Sequence, residues 1–166
     1  MTPKIYVACL ASYNKGKLHG RWIDADQDEE QVMTEIQDML RSSPEPGAGD
    51  WAIHDYEGFC GVHIRENELI ESVARLAALI VKHGPAFAAY YNARVGDLDY
   101  AEDTFEEAYQ GEYGSEEEFA ESICSGISMP DFLLPYIDYK KMADDMLMND
   151  YFSVKHDGKI YIFQHI

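Results

Sequence analysis

Basic residues are scarce in this sequence. Lys and Arg number 13 in 166 residues, against 31 Asp and Glu, for a net charge of −18 and a pI of about 4.5. Such a chain repels nucleic acid and anionic membrane, so neither is an expected partner; it suits a cationic protein. Cysteine is sparse as well. Cys9, Cys60 and Cys124 are an odd number without a CxxC pair, which argues against a disulfide scaffold and fits buried thiols in a reducing cytoplasm. Long hydrophobic runs are missing: the apolar stretch from Ile5 to Ala11 follows a single lysine, is too short to span a bilayer, shows no signal-peptide pattern, and reads as a strand. Aromatic residues, by contrast, make up 13% of the chain and hydrophobic residues 46%. A disordered acidic tail would be poor in both, so this chain is expected to bury a core.

Periodicity divides the chain into segments. Lys4 to Ala11 and Leu18 to Ile23 read as strands around an Asn14-Lys15-Gly16 turn. Val32, Met33, Ile36, Met39 and Leu40 repeat at helical spacing after an acidic first turn. A Pro- and Gly-containing loop over 42–49 precedes a strand from Trp51 to Tyr56. From Glu66 a wide apolar helical face runs through Leu69, Val73, Leu76 and Ile80 to a His83-Gly84-Pro85 stop, and Phe87 to Tyr91 opens a shorter helix. The stretch 104–113 fits either a helix or a strand. Ser115 and Glu118 form a capping box that opens a helix, Pro130 to Met148 is one or two helices interrupted at Pro135, and Asp157-Gly158 marks a closing hairpin. The expected class is α+β, with an N-terminal ββαβ segment (1–62), a helical segment (63–102) and a C-terminal α/β segment (103–166).

The charge is concentrated in blocks. Residues 24–62 hold eleven acids and one base, and 99–125 hold ten acids and no base, on either side of a balanced section. A surface adapted to high salt would spread its acids more evenly. Duplex DNA carries one charge per roughly 1.7 Å of axis. Carboxylates three or four residues apart on a helix lie about 4.5–6 Å apart on one face, so ordered acids on several elements can approach that density. No cofactor or metal is expected. Asp24, Asp26, Asp28 and Glu35 occupy calcium-loop positions, but Glu29 stands where the loop needs glycine, and a strand rather than a helix precedes them. The pair His54-Asp55 has no supporting nucleophile signature, and the histidines lack zinc-ligand spacing. Nothing argues for an enzyme.

Four stretches resemble the ArdA family of antirestriction proteins, encoded on plasmids and conjugative transposons. They are Ile5-Tyr6-Val7-Ala8 with Tyr13 through Trp22, Trp51-Ala52-Ile53-His54-Asp55-Tyr56-Glu57, Gly111 through Ser115 with Phe119-Ala120, and Leu134-Pro135-Tyr136-Ile137-Asp138-Tyr139 through Asp145. The resemblance implies an elongated protein of three small domains that forms a homodimer through its C-terminal domains and presents a curved acidic surface like bent duplex DNA. It implies as partner the methyltransferase core of type I restriction-modification enzymes, and it tips 104–113 toward a strand. The family's antirestriction motif falls on 133–146, with Leu134, Pro135, Tyr136, Ile137, Asp138, Tyr139, Met142, Ala143 and Asp145 associated with the dimer contact. The Pro44-to-Gly49 loop looks longer than the resemblance leads one to expect for some members.

A groove built to neutralise phosphates uses contacts that carry no sequence information, so carboxylates on a rigid frame can occupy it. The expected charge-bearing residues of the first block are Asp24, Asp26, Asp28, Glu29 and Glu30. Those of the second are Asp99, Glu102, Asp103, Glu106, Glu107, Glu112, Glu116, Glu117, Glu118 and Glu121. The alternative function is an acidic chaperone or sequestering module for another basic protein.

Overall fold

β-branched and aromatic residues near the N-terminus build three antiparallel strands, β1 (Lys4–Cys9), β2 (Gly20–Asp24) and β3 (Trp51–Glu57), in the order β2-β1-β3. In this computed structural model, which describes residues 1–94 and 96–166, alternation sends Ile5, Val7, Ile23 and Ile53 to a buried face. Helix α2 (Glu29–Arg41) covers that face with Val32, Ile36, Met39 and Leu40, and α3 (Ile70–His83) packs beside it. The first strand ends earlier than expected. Leu10–Tyr13 turn into a short helix, α1, which places the buried Ser12 hydroxyl 3.1 Å from that of Ser43. Between β1 and β3 the register slips: Val7 faces Ile53 and Tyr6 faces Asp55, so His54 is an extra, bulged residue. Gly84, at φ 71°, ends α3, and Pro85 opens α4 (Pro85–Ala93) as its sequence signals foretold.

The 42–49 loop is tied down by charge. Glu45 is 7% exposed and accepts from Lys17 Nζ at 2.9 Å and from Lys15 Nζ, while its N–H donates to Ser43 Oγ at 3.2 Å. Hydrogen bonds from Lys15 and then Lys17 hold its carboxyl below the usual glutamate range despite burial.

In the C-terminal part, α5 (Leu98–Ala108), β4 (Tyr109–Tyr113), α6 (Glu116–Ser125), a 3-10 helix (Asp131–Tyr136) and α7 (Tyr139–Asn149) lead to the hairpin β5 (Tyr151–His156) and β6 (Lys159–Gln164). The sheet order is β4-β6-β5. The strand reading of 104–113 is corrected here: 104–108 are helical and only 109–113 form a strand. Asp97 caps α5 by accepting from the Tyr100 N–H at 3.0 Å, and Ala101, Phe105 and Ala108 are buried at helical spacing. Phe105 stacks on Tyr109 across the junction at 5.2 Å, so the apparent alternation came from two elements meeting. The break placed at Pro135 falls instead at Ile137-Asp138; a short 3-10 turn loses only one donor to the proline. Tyr90, Phe105, Phe119, Tyr161 and Phe163 are large buried rings here, with Tyr90 Oη 2.8 Å from Thr104 Oγ1. Asp157 and Gly158 both have positive φ, as a two-residue hairpin turn requires.

Internal contacts divide the chain into two units, Met1–Ala88 and Ala89–Ile166. The division falls inside the stretch 63–102, where a separate helical segment was expected.

Candidate functional site

The acidic groups of the first unit gather where β2 passes into α2. Asp24 ends the strand, Asp26 and Asp28 lie in the turn, and Glu29 and Glu30 form the first turn of the helix, where the helix dipole favours negative charge. All five are exposed because the apolar residues of α2 claim its other face. The turn is ordered: the Asp26 N–H donates to Asp24 Oδ1 at 2.9 Å, and Gln27 Nε2 donates to Asp24 O and Glu35 Oε1. Among the described residues no cation pairs with Asp26, Asp28, Glu29 or Glu30. The strand before Asp24 stands where a calcium loop would need its entering helix, and no group of three or more possible metal ligands occurs among the described residues.

The second block is centred on α5. Asp99, Glu102, Asp103, Glu106 and Glu107 are all exposed, opposite the buried Ala101, Phe105 and Ala108. Five carboxylates over eight residue steps give one charge per roughly 3 Å of helix axis. One strand of DNA carries one per about 3.4 Å. The helix alone therefore carries carboxylates at an average axial density close to that of a single phosphate strand.

Several acids beyond α5 have defined partners. Glu112 pairs with Lys159 at 2.6 Å, which raises the lysine's pKa above its ordinary value. Glu118 closes the capping box: its N–H donates to Ser115 Oγ at 3.1 Å while its Oε2 accepts from the Gly114 N–H at 2.8 Å. Glu116 is half-buried and accepts from Ser153 Oγ. Glu117 and Glu121 are exposed on α6.

The motif over 133–146 separates into two parts. Met142 and Ala143 turn inward, with Ala143 buried and Met142 Sδ 3.4 Å from Cys124 Sγ on α6, while Ile137 and Tyr139 are half-buried. Asp138 caps α7 by accepting from the Lys141 N–H at 3.0 Å, and Asp145 is exposed. Leu134, Pro135 and Tyr136 face outward beside Phe132, with Tyr136 84% and Phe132 70% exposed. Phe132 lay outside the expected set, although its place in a Phe-Leu-Leu run before a proline was a readable signal.

A cleft of about 700 Å³ in the first unit gathers Tyr13, His54, Tyr56, His63 and Arg65. Three of its polar groups are paired: Tyr56 Oη lies 3.0 Å from His63 Nδ1, and Arg65 Nε donates to Glu68 at 2.9 Å. Its lining holds neither serine nor cysteine. No helix among the described residues is long and apolar enough to cross a membrane.

These features define an acidic α+β protein that displays two blocks of carboxylates on ordered elements. The particular family follows from comparison: the model of the antirestriction protein family ArdA matches residues 5–161, and the chain belongs to that family. A search of curated proteins finds no match. Membership carries an antirestriction function and an interaction with restriction-modification enzymes.

Proposed function

We propose that the chain inhibits type I restriction-modification enzymes by occupying the DNA groove of their methyltransferase core with carboxylates in place of phosphates. The observation that carries this reading is the α5 row, whose average number of carboxylates per length of helix axis is close to the number of phosphates per length of axis on one DNA strand. Helical order supports it, because a rigid row incurs no folding cost on binding. The ordered Asp24-to-Glu30 turn extends the same chemistry to the first unit. Phosphate-type contacts ignore base sequence, so inhibition is independent of the site the enzyme reads.

The active species in this proposal is a cytoplasmic homodimer joined through the exposed Phe132–Tyr136 segment. Two subunits bring 36 negative charges together, so the contact must be apolar and poor in acids, as this segment is.

The test is competition between this protein and duplex DNA for a purified type I methyltransferase across a salt series. DNA binding weakens steeply with salt because condensed counterions are released. Carboxylates on a folded surface condense fewer counterions, so the protein's affinity should fall with a shallower slope than that of DNA. Binding without displacement of DNA refutes the proposal, and a salt-independent affinity refutes its electrostatic basis.

A further inference from the structure

The outer face of the β2-β1-β3 sheet carries an arrangement that the acidic blocks do not explain. Tyr6 and Trp22 sit directly opposite each other on β1 and β2, with ring centroids 5.5 Å apart and planes tilted by 59°. Trp22 is 43% exposed, and the buried residues of α2 pack toward the opposite face, that of Ile5 and Ile23. Gly20 leaves room for the pair: a Cβ there would lie 2.5 Å from the Val7 backbone oxygen and 2.7 Å from Cζ and Oη of Tyr6, so the close backbone approach requires glycine and the tyrosine ring lies over the space it leaves. Exposed carboxylates surround the rings by register. Asp55 lies opposite Tyr6, Asp24 follows Trp22 on the same face, and Glu57 stands one pair further along β3. Backbone N–H groups hold Asp24 at Oδ1 from Asp26 (2.9 Å) and Asp55 at Oδ1 from Tyr56 (2.8 Å). Lys4 lies between Asp24 and Glu57 in the register and offsets one of the three charges.

From this we infer that the outer sheet face is a docking surface for arginine side chains of a cationic protein partner. An acidic surface alone would attract lysine and arginine alike. An aromatic pair within reach of fixed carboxylates favours arginine, whose planar guanidinium stacks on a ring while its edge donates two parallel hydrogen bonds to a carboxylate. The remaining charge of the face is negative, so the complement is cationic. The surface extends the proposed function by naming the contact chemistry, and it rests on that reading only for which partner supplies the arginines.

The experiment uses the full chain with two probes, an oligo-arginine and an oligo-lysine peptide of equal length and charge. Binding is followed by the Trp22 indole resonance and by titration. The arginine peptide should shift the Trp22 signal and bind more tightly than the lysine peptide. Trp22→Ala should weaken the arginine peptide about two- to fivefold, as the loss of one exposed cation–π contact does, and leave the lysine peptide nearly unchanged. Asp55→Asn should reduce the same preference without touching the rings, and matching thermal melts identify variants that remain folded. Equal binding of both peptides, or an arginine preference that survives Trp22→Ala in the folded variant, overturns the inference. DNA competition for the methyltransferase is measured on the wild-type protein in parallel. Failure there with the arginine preference intact refutes the proposed function and leaves the docking surface standing.

Discussion

Neutralising the turn between β2 and α2 gives the most direct measure of how the charge array works. The triple variant Asp24→Asn, Asp26→Asn, Asp28→Asn removes three exposed carboxylates and retains an amide oxygen at each position. At position 24 that oxygen can still accept from the residue 26 N–H, so the turn that opens α2 is preserved. Exposed ion pairs contribute about 0.2–1 kcal/mol each. Three lost together come to about 0.6–3 kcal/mol, which corresponds to a roughly three- to hundredfold weaker Kd for the methyltransferase. Any one substitution should weaken it by no more than about fivefold. Isothermal titration of the wild type, the triple variant and the three single variants against one methyltransferase, with a thermal melt of each, reads both numbers. If one Asp→Asn change abolished binding in a folded protein, a single contact would dominate and a distributed array would be the wrong description.

Three further outcomes follow from other parts of the molecule. Phe132→Ala with Tyr136→Ala should move sedimentation toward monomer, with dimer dissociation strengthened at least tenfold, since each large apolar side chain buried contributes about 1.5–3 kcal/mol; an unchanged dimer would place the interface elsewhere. Glu45 has a folded pKa below its unfolded value, so the unfolded chain binds its proton more readily. The stability it contributes is therefore complete above about pH 4.3 and drains away as pH falls through the lower folded value. Melting temperatures in that acidic window should fall less with pH in Glu45→Gln than in the wild type, and parallel curves would argue against the clamp. Ser115→Ala should cost about 1 kcal/mol in urea unfolding through loss of the α6 cap, and a change under 0.3 kcal/mol would show the cap to be idle.

Much of this architecture was readable because single residues have strong local physics. Ser115 with Glu118, Gly84 with Pro85, and Asp157 with Gly158 each marked a boundary where the structure has one. The misread stretch, 104–113, lies where a helix hands over to a strand without an intervening loop. Phe105 and Tyr109 stack across that junction and mimic the two-residue period of one strand. The acids were legible as a set, since exposure follows from their opposition to an apolar stripe, as on α5. Their individual duties were not. That Glu118 closes a cap was visible in sequence, but the pairing of Glu112 with Lys159 depends on the β4-β6 register, which local patterns do not carry. Asp55 and Glu57 were passed over as site residues because only that same kind of information, the bulge at His54, sets which face they join.

The Glu45 clamp ties the evolution of two distant stretches together. Lys15 and Lys17 sit in a turn, thirty and twenty-eight residues from the carboxylate that neutralises them. A relative that shortens the 42–49 loop withdraws that carboxylate and strands two positive charges on a surface selected to be negative. Loop length and the residues at 15 and 17 should therefore change together across the family, with short loops accompanied by neutral or acidic turns. The length of this loop is then not slack in the chain: it is the reach that brings Glu45 to Lys15 and Lys17.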